Sequence, residues 1–107
     1  NDIDRYLERH CTEPIRLPEM AKKLGRSVST ISQFLRRNYR TSFKELLTER
    51  RLAKAEAYWM ANPDATVGET AFAAGFSDQF YFSRVFKRHK GMPPGEFRAR
   101  LRRHVIR

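Results

Sequence analysis

The stretch FYFSRVFKRHKG, residues 80 to 91, decides the fold because it interleaves aromatic residues with cations. On a helical wheel of 100° per residue, these residues separate into two faces. The apolar arc, which must be buried, consists of Phe82, Val85, Phe86 and His89. The opposite arc consists of Phe80, Arg84 and Lys87, with Ser83 and Arg88 beside it and Tyr81 at the boundary. One aromatic residue, Phe80, therefore shares the cationic face.

The same pattern occurs earlier in the chain, in residues 29–40. The inward face there consists of Ile31, Phe34 and Leu35, and the outer face of Ser29, Gln33, Arg36 and Arg40, flanked by Ser32 and Arg37. These residues match the opening stretch at an offset of 51, and the residues before them match at an offset of 50, as Ala21 does with Ala71 and Gly25 with Gly75. The repeated unit is a short helix, a turn that contains glycine and a longer helix with a basic outer face. This is a helix-turn-helix, present twice.

Helix start and stop signals predict an all-α chain of seven helices. The predicted segments are a first helix from Asp2 to about Cys11, a first helix-turn-helix unit at about 17–40, a long linker helix at about 42–61, a second unit at about 66–90 and a C-terminal helix at about 94–103. Capping-box spacing opens the linker helix at Ser42 and the next helix at Thr66. Ser27 can cap the third helix, and Ser77 or Asp78 the sixth. We expect the 107 residues to form a single domain.

The linker helix has a length that suits duplex DNA. Some 20 residues at 1.5 Å each span ~30 Å, close to the ~34 Å between successive major grooves on one face of B-DNA. The helix is also predicted to contribute to the core through Phe43, Leu46, Leu47, Leu52, Ala55 and Trp59. A stiff helix of this length would let one monomer enter two grooves.

The composition favours a polyanionic partner. The formal net charge is +10, with 32% charged and 40% hydrophobic residues, which favours nucleic acid over an anionic membrane or an acidic protein. No apolar run approaches the ~20 residues of a membrane span, and no leader opens the chain, so we expect a soluble protein without membrane contact. The single cysteine, Cys11, excludes an internal disulfide and fits a reducing compartment.

Two segments resemble the DNA-binding domain of AraC/XylS-type transcriptional regulators. GFSDQFYFSRVFKRHKGMPPGEFR, residues 75 to 98, carries that family's Gly-Phe, Tyr-Phe-Ser-Arg, Phe-Lys, Gly-x-x-Pro and aromatic-Arg elements, and SFKELLTERRLAKAEAYW, from Ser42, resembles the connecting helix. The resemblance covers essentially the whole chain. It implies a regulator that binds double-stranded promoter DNA in the bacterial cytoplasm, at the nucleoid, with RNA polymerase as a partner. It also implies a regulatory domain in the full-length chain.

The resemblance further implies which residues read bases, because the family reads them from the outer faces of the third and sixth helices. The matching positions are Ser29, Ser32, Gln33, Gln79, Phe80, Tyr81 and Arg84. The helical wheel selects most of these independently, whereas Gln79 and Tyr81 rest mainly on the resemblance. The cations on the same faces are predicted phosphate contacts: Arg36, Arg37, Arg40, Lys87 and Arg88. A thymine methyl group or an unstacked base would suit the exposed Phe80.

Three residues depart from the family's pattern. Arg40 stands where the family usually ends the first recognition helix with glycine, so either the turn avoids the left-handed conformation or Arg40 accepts strain to reach a phosphate. Thr70 replaces a usually apolar residue. Phe80 replaces a residue that is commonly small and polar, which would shift the sequence preference.

Other chemistry is not indicated. His10, His89 and His104 lack metal-ligand spacing with Cys11, and there is no Gly-rich phosphate loop, so we predict no enzyme activity, metal or cofactor. The alternative function is a basic helical module that docks on an acidic partner such as RNA polymerase. A nucleic-acid binder without sequence preference comes third. The repeat favours DNA, because a docking surface for protein has no need of two equivalent outer faces at a groove spacing.

Overall fold

A computed structural model describes the backbone of residues 1–106 and the side chains of residues 1–103, so the side chain of His104 lies outside the described residues. The helices are α1 (Asp2–His10), α2 (Leu17–Lys23), α3 (Val28–Asn38), α4 (Phe43–Ala61), α5 (Val67–Ala73), α6 (Gln79–Lys90) and α7 (Pro94–Ile106). Residues 1–106 contain these seven helices and no strand, which confirms the predicted fold class. The last helix continues to Ile106, past the predicted end at about residue 103, and residues 104–106 contain neither glycine nor proline.

The residues pack as two units, Asn1–Arg50 and Arg51–Arg107, here called the N-terminal and C-terminal units. The linker helix α4 begins in the first and ends in the second, without a break over its 19 residues. Each unit has its own apolar core. The prediction that the chain forms a single domain therefore stays a prediction.

The core of the N-terminal unit is built where α1, α2, α3 and the start of α4 meet. Its buried residues are Ile3, Leu7, Cys11, Met20, Ala21, Ile31, Leu35, Leu46 and Leu47. A polar network at the edge of this core ties α1 to the residues after α3 and to α4. The Tyr39 hydroxyl donates to the Asp4 carboxylate at 2.9 Å, and the Arg50 guanidinium donates to it at 2.6 Å. The Arg50 hydrogen bond is the main reason that the pKa of Asp4 is lowered.

The core of the C-terminal unit is largely aromatic. Trp59 is almost fully buried, with ring centroids of Phe82, Phe86 and Phe97 at 6.0 to 6.2 Å from its own. Its indole N–H donates to the Ala65 carbonyl at 3.2 Å, so burying the ring leaves no indole donor unsatisfied. The inner arc predicted for the opening stretch is therefore correct for its apolar members, while His89 is half-buried.

Two residues deviate from simple expectations of burial. Phe34, predicted to face inward, is 37% exposed, because it lies at the rim of the core with its ring 6.3 Å from that of Tyr39. Thr70, where an apolar residue is usual, is fully buried. Its hydroxyl donates to the Thr66 carbonyl at 2.9 Å, within the same helix, so the polar atom costs little.

Arg40 follows α3 with a φ of 53°, and it is the one residue with a side chain that adopts a positive φ in the described chain. The structure thus decides between the two alternatives left open by the sequence: the turn keeps the left-handed conformation without glycine. Because the Cβ atom of an L-residue is crowded in that region, the position carries backbone strain of roughly 1 kcal/mol. The Arg40 side chain is exposed, as are those of Arg36 and Arg37 on α3.

We expect Arg40→Gly to raise the free energy of unfolding by about 0.5–1 kcal/mol, because glycine adopts this φ without strain and the gain exceeds its extra entropy in the unfolded chain. Chemical denaturation of both proteins measures the difference. Arg40→Ala is the matched control, since it removes the same charge but keeps the Cβ atom. Equal stability of the two variants would contradict the strain argument.

Candidate nucleic-acid interface

The two predicted helix-turn-helix units share the geometry of their turns. Gly25 after α2 and Gly75 after α5 have positive φ angles of 67° and 100°, which residues with a Cβ atom rarely adopt. In each turn the backbone N–H that follows the glycine donates at 2.9 Å to the carbonyl of an alanine five residues earlier. These alanines, Ala21 and Ala71, are both buried. The internal repeat seen in the sequence is therefore also a repeat of backbone hydrogen bonding.

The helices that follow the turns begin with equivalent side-chain caps. In α3 the Thr30 N–H donates to the Ser27 hydroxyl at 3.1 Å, and in α6 the Phe80 N–H donates to the Asp78 carboxylate at 2.8 Å. Asp78, and not Ser77, is thus the cap of α6. Ser77 is the extra residue that changes the offset between the two units from 50 to 51.

The outer faces of α3 and α6 carry the predicted base-reading residues. On α3, Ser29 and Gln33 are exposed and Ser32 is half-buried. On α6, Gln79, Phe80 and Arg84 are exposed and Tyr81 is half-buried. The predicted phosphate contacts are all exposed: Arg36, Arg37, Arg40, Lys87 and Arg88. Each recognition helix therefore presents polar and cationic side chains on the side opposite its core.

Tyr81 lies between the core and the cationic face of α6. Its ring centroid is 6.3 Å from that of buried Phe76. The guanidinium carbon of Arg84 lies 5.8 Å from the same Tyr81 ring centroid, within the range of a cation–π contact. A fork-shaped donor that rests on a ring loses less freedom on binding than a free side chain. Tyr81 therefore helps to orient Arg84 on the outer face.

The side-chain amide of Gln79, the first residue of α6, lies beside α5. A Cβ atom added to Gly68 of α5 would come within 2.5 Å of the Gln79 side-chain oxygen. The absence of a side chain at Gly68 is what lets the Gln79 amide lie there. This placement depends on a contact between two helices, so a helical wheel of α6 alone does not show it.

Several arginines of α7 have partners within the C-terminal unit. Arg98 donates to the Asp64 backbone carbonyl at 2.9 Å, and Arg102 forms an ion pair with the Asp64 carboxylate at 3.3 Å. Arg100 pairs with Glu96 of its own helix at 3.1 Å. Part of the basic C-terminal segment is thus engaged in internal contacts.

One exposed aromatic residue was missed by sequence reasoning. Phe72 of α5 is 75% exposed, more than Phe80 at 69%. Both residues line a surface groove between α5 and α6. The repeat contains a signal that could have identified it, because the residue at the matching position of α2 is Lys22, which is exposed.

No helix within residues 1–106 combines the length and hydrophobicity needed to cross a membrane. Among the side chains that the structure describes, no three His, Cys, Asp or Glu residues lie together in a group that could hold a metal ion.

Comparisons with known proteins agree with this geometry. A family model described as a helix-turn-helix domain matches residues 20–100. The chain is 29% identical over 101 residues to the Msm operon regulatory protein of Streptococcus mutans, covering 94% of this chain and 36% of that protein. It is 33% identical over 101 residues to the arabinose operon regulatory protein of Salmonella typhimurium, covering 92% of this chain and 35% of that protein. The chain thus spans about a third of the length of these relatives.

A solved structure shows the same fold. The chain superimposes on a DNA-binding transcriptional dual regulator from Escherichia coli with a TM-score of 0.82 and 26% identity, covering 92% of this chain and 93% of that one. A second structure is the DNA-binding domain of AdpA, a global transcriptional factor, in complex with a target DNA. Its TM-score is 0.83 at 23% identity, covering 96% of this chain and 91% of that one, which shows a common fold.

Proposed function

This chain belongs to the AraC family of helix-turn-helix transcriptional regulators, and from that premise we propose that its outer faces on α3 and α6 read the sequence of a promoter. The observation that carries the proposal is the repeat itself. Two units with the same turn geometry and the same cap position each present an exposed polar and cationic helix face. Duplex DNA is a ligand that offers equivalent grooves at a fixed spacing.

We divide the side chains of these faces into base-reading and phosphate-binding groups. Arg84 can donate two parallel hydrogen bonds to guanine O6 and N7, whereas Ser29, Ser32 and Gln33 offer short neutral groups. Gln79, Phe80 and Tyr81 complete the base-reading set around Arg84. Phosphate contact is assigned to Arg36, Arg37, Arg40, Lys87 and Arg88, because an exposed cation can follow the sugar–phosphate backbone irrespective of sequence.

We base the proposed partners of the whole protein on its relatives. The chain spans about a third of the two regulators described above, so we propose that a regulatory domain accompanies it in the full-length protein. RNA polymerase is the proposed protein partner, since a regulator bound at a promoter must act on the enzyme that transcribes it. We place the protein at the nucleoid, in the bacterial cytoplasm.

A basic module that docks on an acidic protein is the second candidate. Its supporting observation is the excess of cations on α3 and α6 combined with the exposed aromatic rings of Phe72 and Phe80. The paired turn geometry favours DNA over this alternative, because one docking surface would suffice for a protein.

The test is a hydroxyl-radical footprint of the 107-residue chain on a duplex selected from a randomised library. We expect a monomer to protect two adjacent major grooves on one face, about 16 to 20 base pairs, because the chain carries two helix-turn-helix units with matching turns and caps, one for each groove. The double variant Arg36→Glu/Arg37→Glu is the matched control and should lose protection of one half-site only. Protection of a single half-site by the unaltered chain would mean that one unit is purely structural.

A further inference from the structure

Two large aromatic side chains of the C-terminal unit are exposed on neighbouring helices. Phe72 of α5 and Phe80 of α6 line the same groove, and each keeps more than two thirds of its surface in water. Exposed apolar surface of this size on a small, highly charged chain suggests contact with an apolar group of a ligand. The groove belongs to the face that we assign to DNA, since Arg84 lies one helical turn beyond Phe80.

The N-terminal unit provides an internal control for these two positions. Lys22 and Ser29 occupy the positions that match Phe72 and Phe80 in the repeat, and both are exposed. The same supersecondary unit therefore folds with polar residues at both places. Packing of the helix-turn-helix does not require aromatic rings there, so their presence in the C-terminal unit calls for a role in binding.

Gly68 and Gln79 shape the floor of this groove. The Gln79 amide lies against Gly68, where any larger residue would displace it. The Gln79 side chain reaches toward α5, and the neighbouring Phe80 ring is 69% exposed. An apolar surface at the tip of a recognition helix results.

The surrounding charge selects the class of ligand. Arg84, Lys87 and Arg88 follow Phe80 on the exposed side of α6, which favours a polyanion. The apolar group that duplex DNA presents in its major groove is the 5-methyl group of thymine. A contact between this methyl group and a phenyl ring needs no hydrogen bond. Phe80 can therefore make it without a polar group at position 80.

We propose that the C-terminal unit selects 5-methylated pyrimidines through Phe80, whose ring contacts the methyl group, with Phe72 shielding the contact from water at the other side of the groove. This inference rests on the proposed function, because it assumes that α6 enters the major groove. The C-terminal unit would then prefer thymine because of its 5-methyl group and not because of its hydrogen-bonding edge. For the same reason 5-methylcytosine would bind better than cytosine at the same position.

The experiment replaces each thymine of a selected duplex, one at a time, by uracil, which removes the methyl group and leaves the hydrogen-bonding edge unchanged. We expect one or two replacements in the half-site protected by α6 to raise the Kd about four-fold each, as the ~0.8 kcal/mol for one buried carbon implies. Replacing cytosine by 5-methylcytosine at the same position should lower the Kd by a similar factor. Phe80→Ser, which introduces the residue of the matching position in α3, should bind the thymine and uracil duplexes equally.

Two more variants separate a direct contact from a structural role. Phe80→Leu keeps an apolar side chain and should retain most of the discrimination between thymine and uracil, whereas Phe72→Gln should reduce it partly. The inference is overturned if the unaltered chain binds all uracil duplexes as tightly as the parent duplex, while it still prefers the selected duplex to a scrambled one. Absence of that last preference would overturn the proposed function as well. Unchanged DNA preferences in Phe80→Ser with loss of transcriptional activation would overturn the inference in favour of a protein ligand.

Discussion

Raising the salt concentration four-fold is expected to weaken DNA binding by this chain roughly 500-fold. The estimate assumes that the five predicted phosphate contacts form, each adding about −0.9 to the slope of log K against log salt. The slope is then about −4.5. The net charge of +10 and the exposure of all five side chains on α3 and α6 are the reasons to expect so large an electrostatic contribution. Fluorescence anisotropy with a labelled duplex at several salt concentrations measures it.

The variants Arg37→Ala and Lys87→Ala are the controls for this slope. Each should reduce its magnitude by about one unit, because each removes one predicted phosphate contact. A slope near zero for the unaltered chain would contradict the assignment of phosphate contacts and would make docking on a protein the better explanation. An unchanged slope in both variants would show that other cations neutralise the phosphates.

Arg84→Ala is expected to weaken the binding free energy for the selected duplex by about 1–3 kcal/mol, which raises the Kd roughly 5- to 150-fold, and to flatten the preference at one base pair. The reason is geometric. Arg84 is exposed on α6, and its guanidinium lies over the Tyr81 ring, on the face that bears the other proposed base-reading residues. A set of duplexes with single-base substitutions measures both the loss of affinity and the position at which the preference disappears.

Arg84→Lys is the sharper control for base reading, because it keeps the charge and removes the forked pair of donors. It should preserve the salt dependence and still lose the preference at that base pair. Arg37→Ala should instead weaken binding to the selected and scrambled duplexes alike. Uniform weakening by Arg84→Ala across all single-base substitutions would assign Arg84 to a phosphate and would shift the base-reading role to Gln33 and Gln79.

Much of the fold could be predicted because the local signals of this chain agree with one another. The capping box at Thr66 forms as its spacing predicts, with Glu69 and Thr66 exchanging hydrogen bonds of 2.8 and 3.0 Å. The glycines that the repeat places in both turns have positive φ angles. The apolar residues of the inner arc of α6 are buried because a helix with one strongly apolar face has a single way to pack it.

The exceptions involve contacts between elements that are distant in sequence or not represented on a wheel. Phe34 is 37% exposed at the rim of the core, and the wheel of α3 does not show where the core ends. The placement of Gln79 depends on the missing side chain at Gly68, eleven residues earlier. The contact between the Arg84 guanidinium and the Tyr81 ring depends on the rotamers of both side chains. A spacing of three residues on a helix permits this contact but does not determine the rotamers.

The candidate site, like the fold, was predictable only in part from the sequence. Residues such as Ser29 and Lys87 could be placed on the outer faces from periodicity alone, since an exposed position needs no knowledge of a partner. Phe72 could not, because its helix of seven residues is too short for a clear apolar periodicity. Comparison with Lys22 in the other unit would have identified it.

The central claim, that this chain reads a DNA sequence, is tested most directly by the ratio of two dissociation constants at one salt concentration near 0.15 M. One is for the duplex selected from the randomised library, and the other is for a scrambled duplex of the same length and composition. We predict that the selected duplex binds at least about 10³-fold more tightly, the lower end of the range for specific regulators. Equal dissociation constants for the two duplexes would contradict the account.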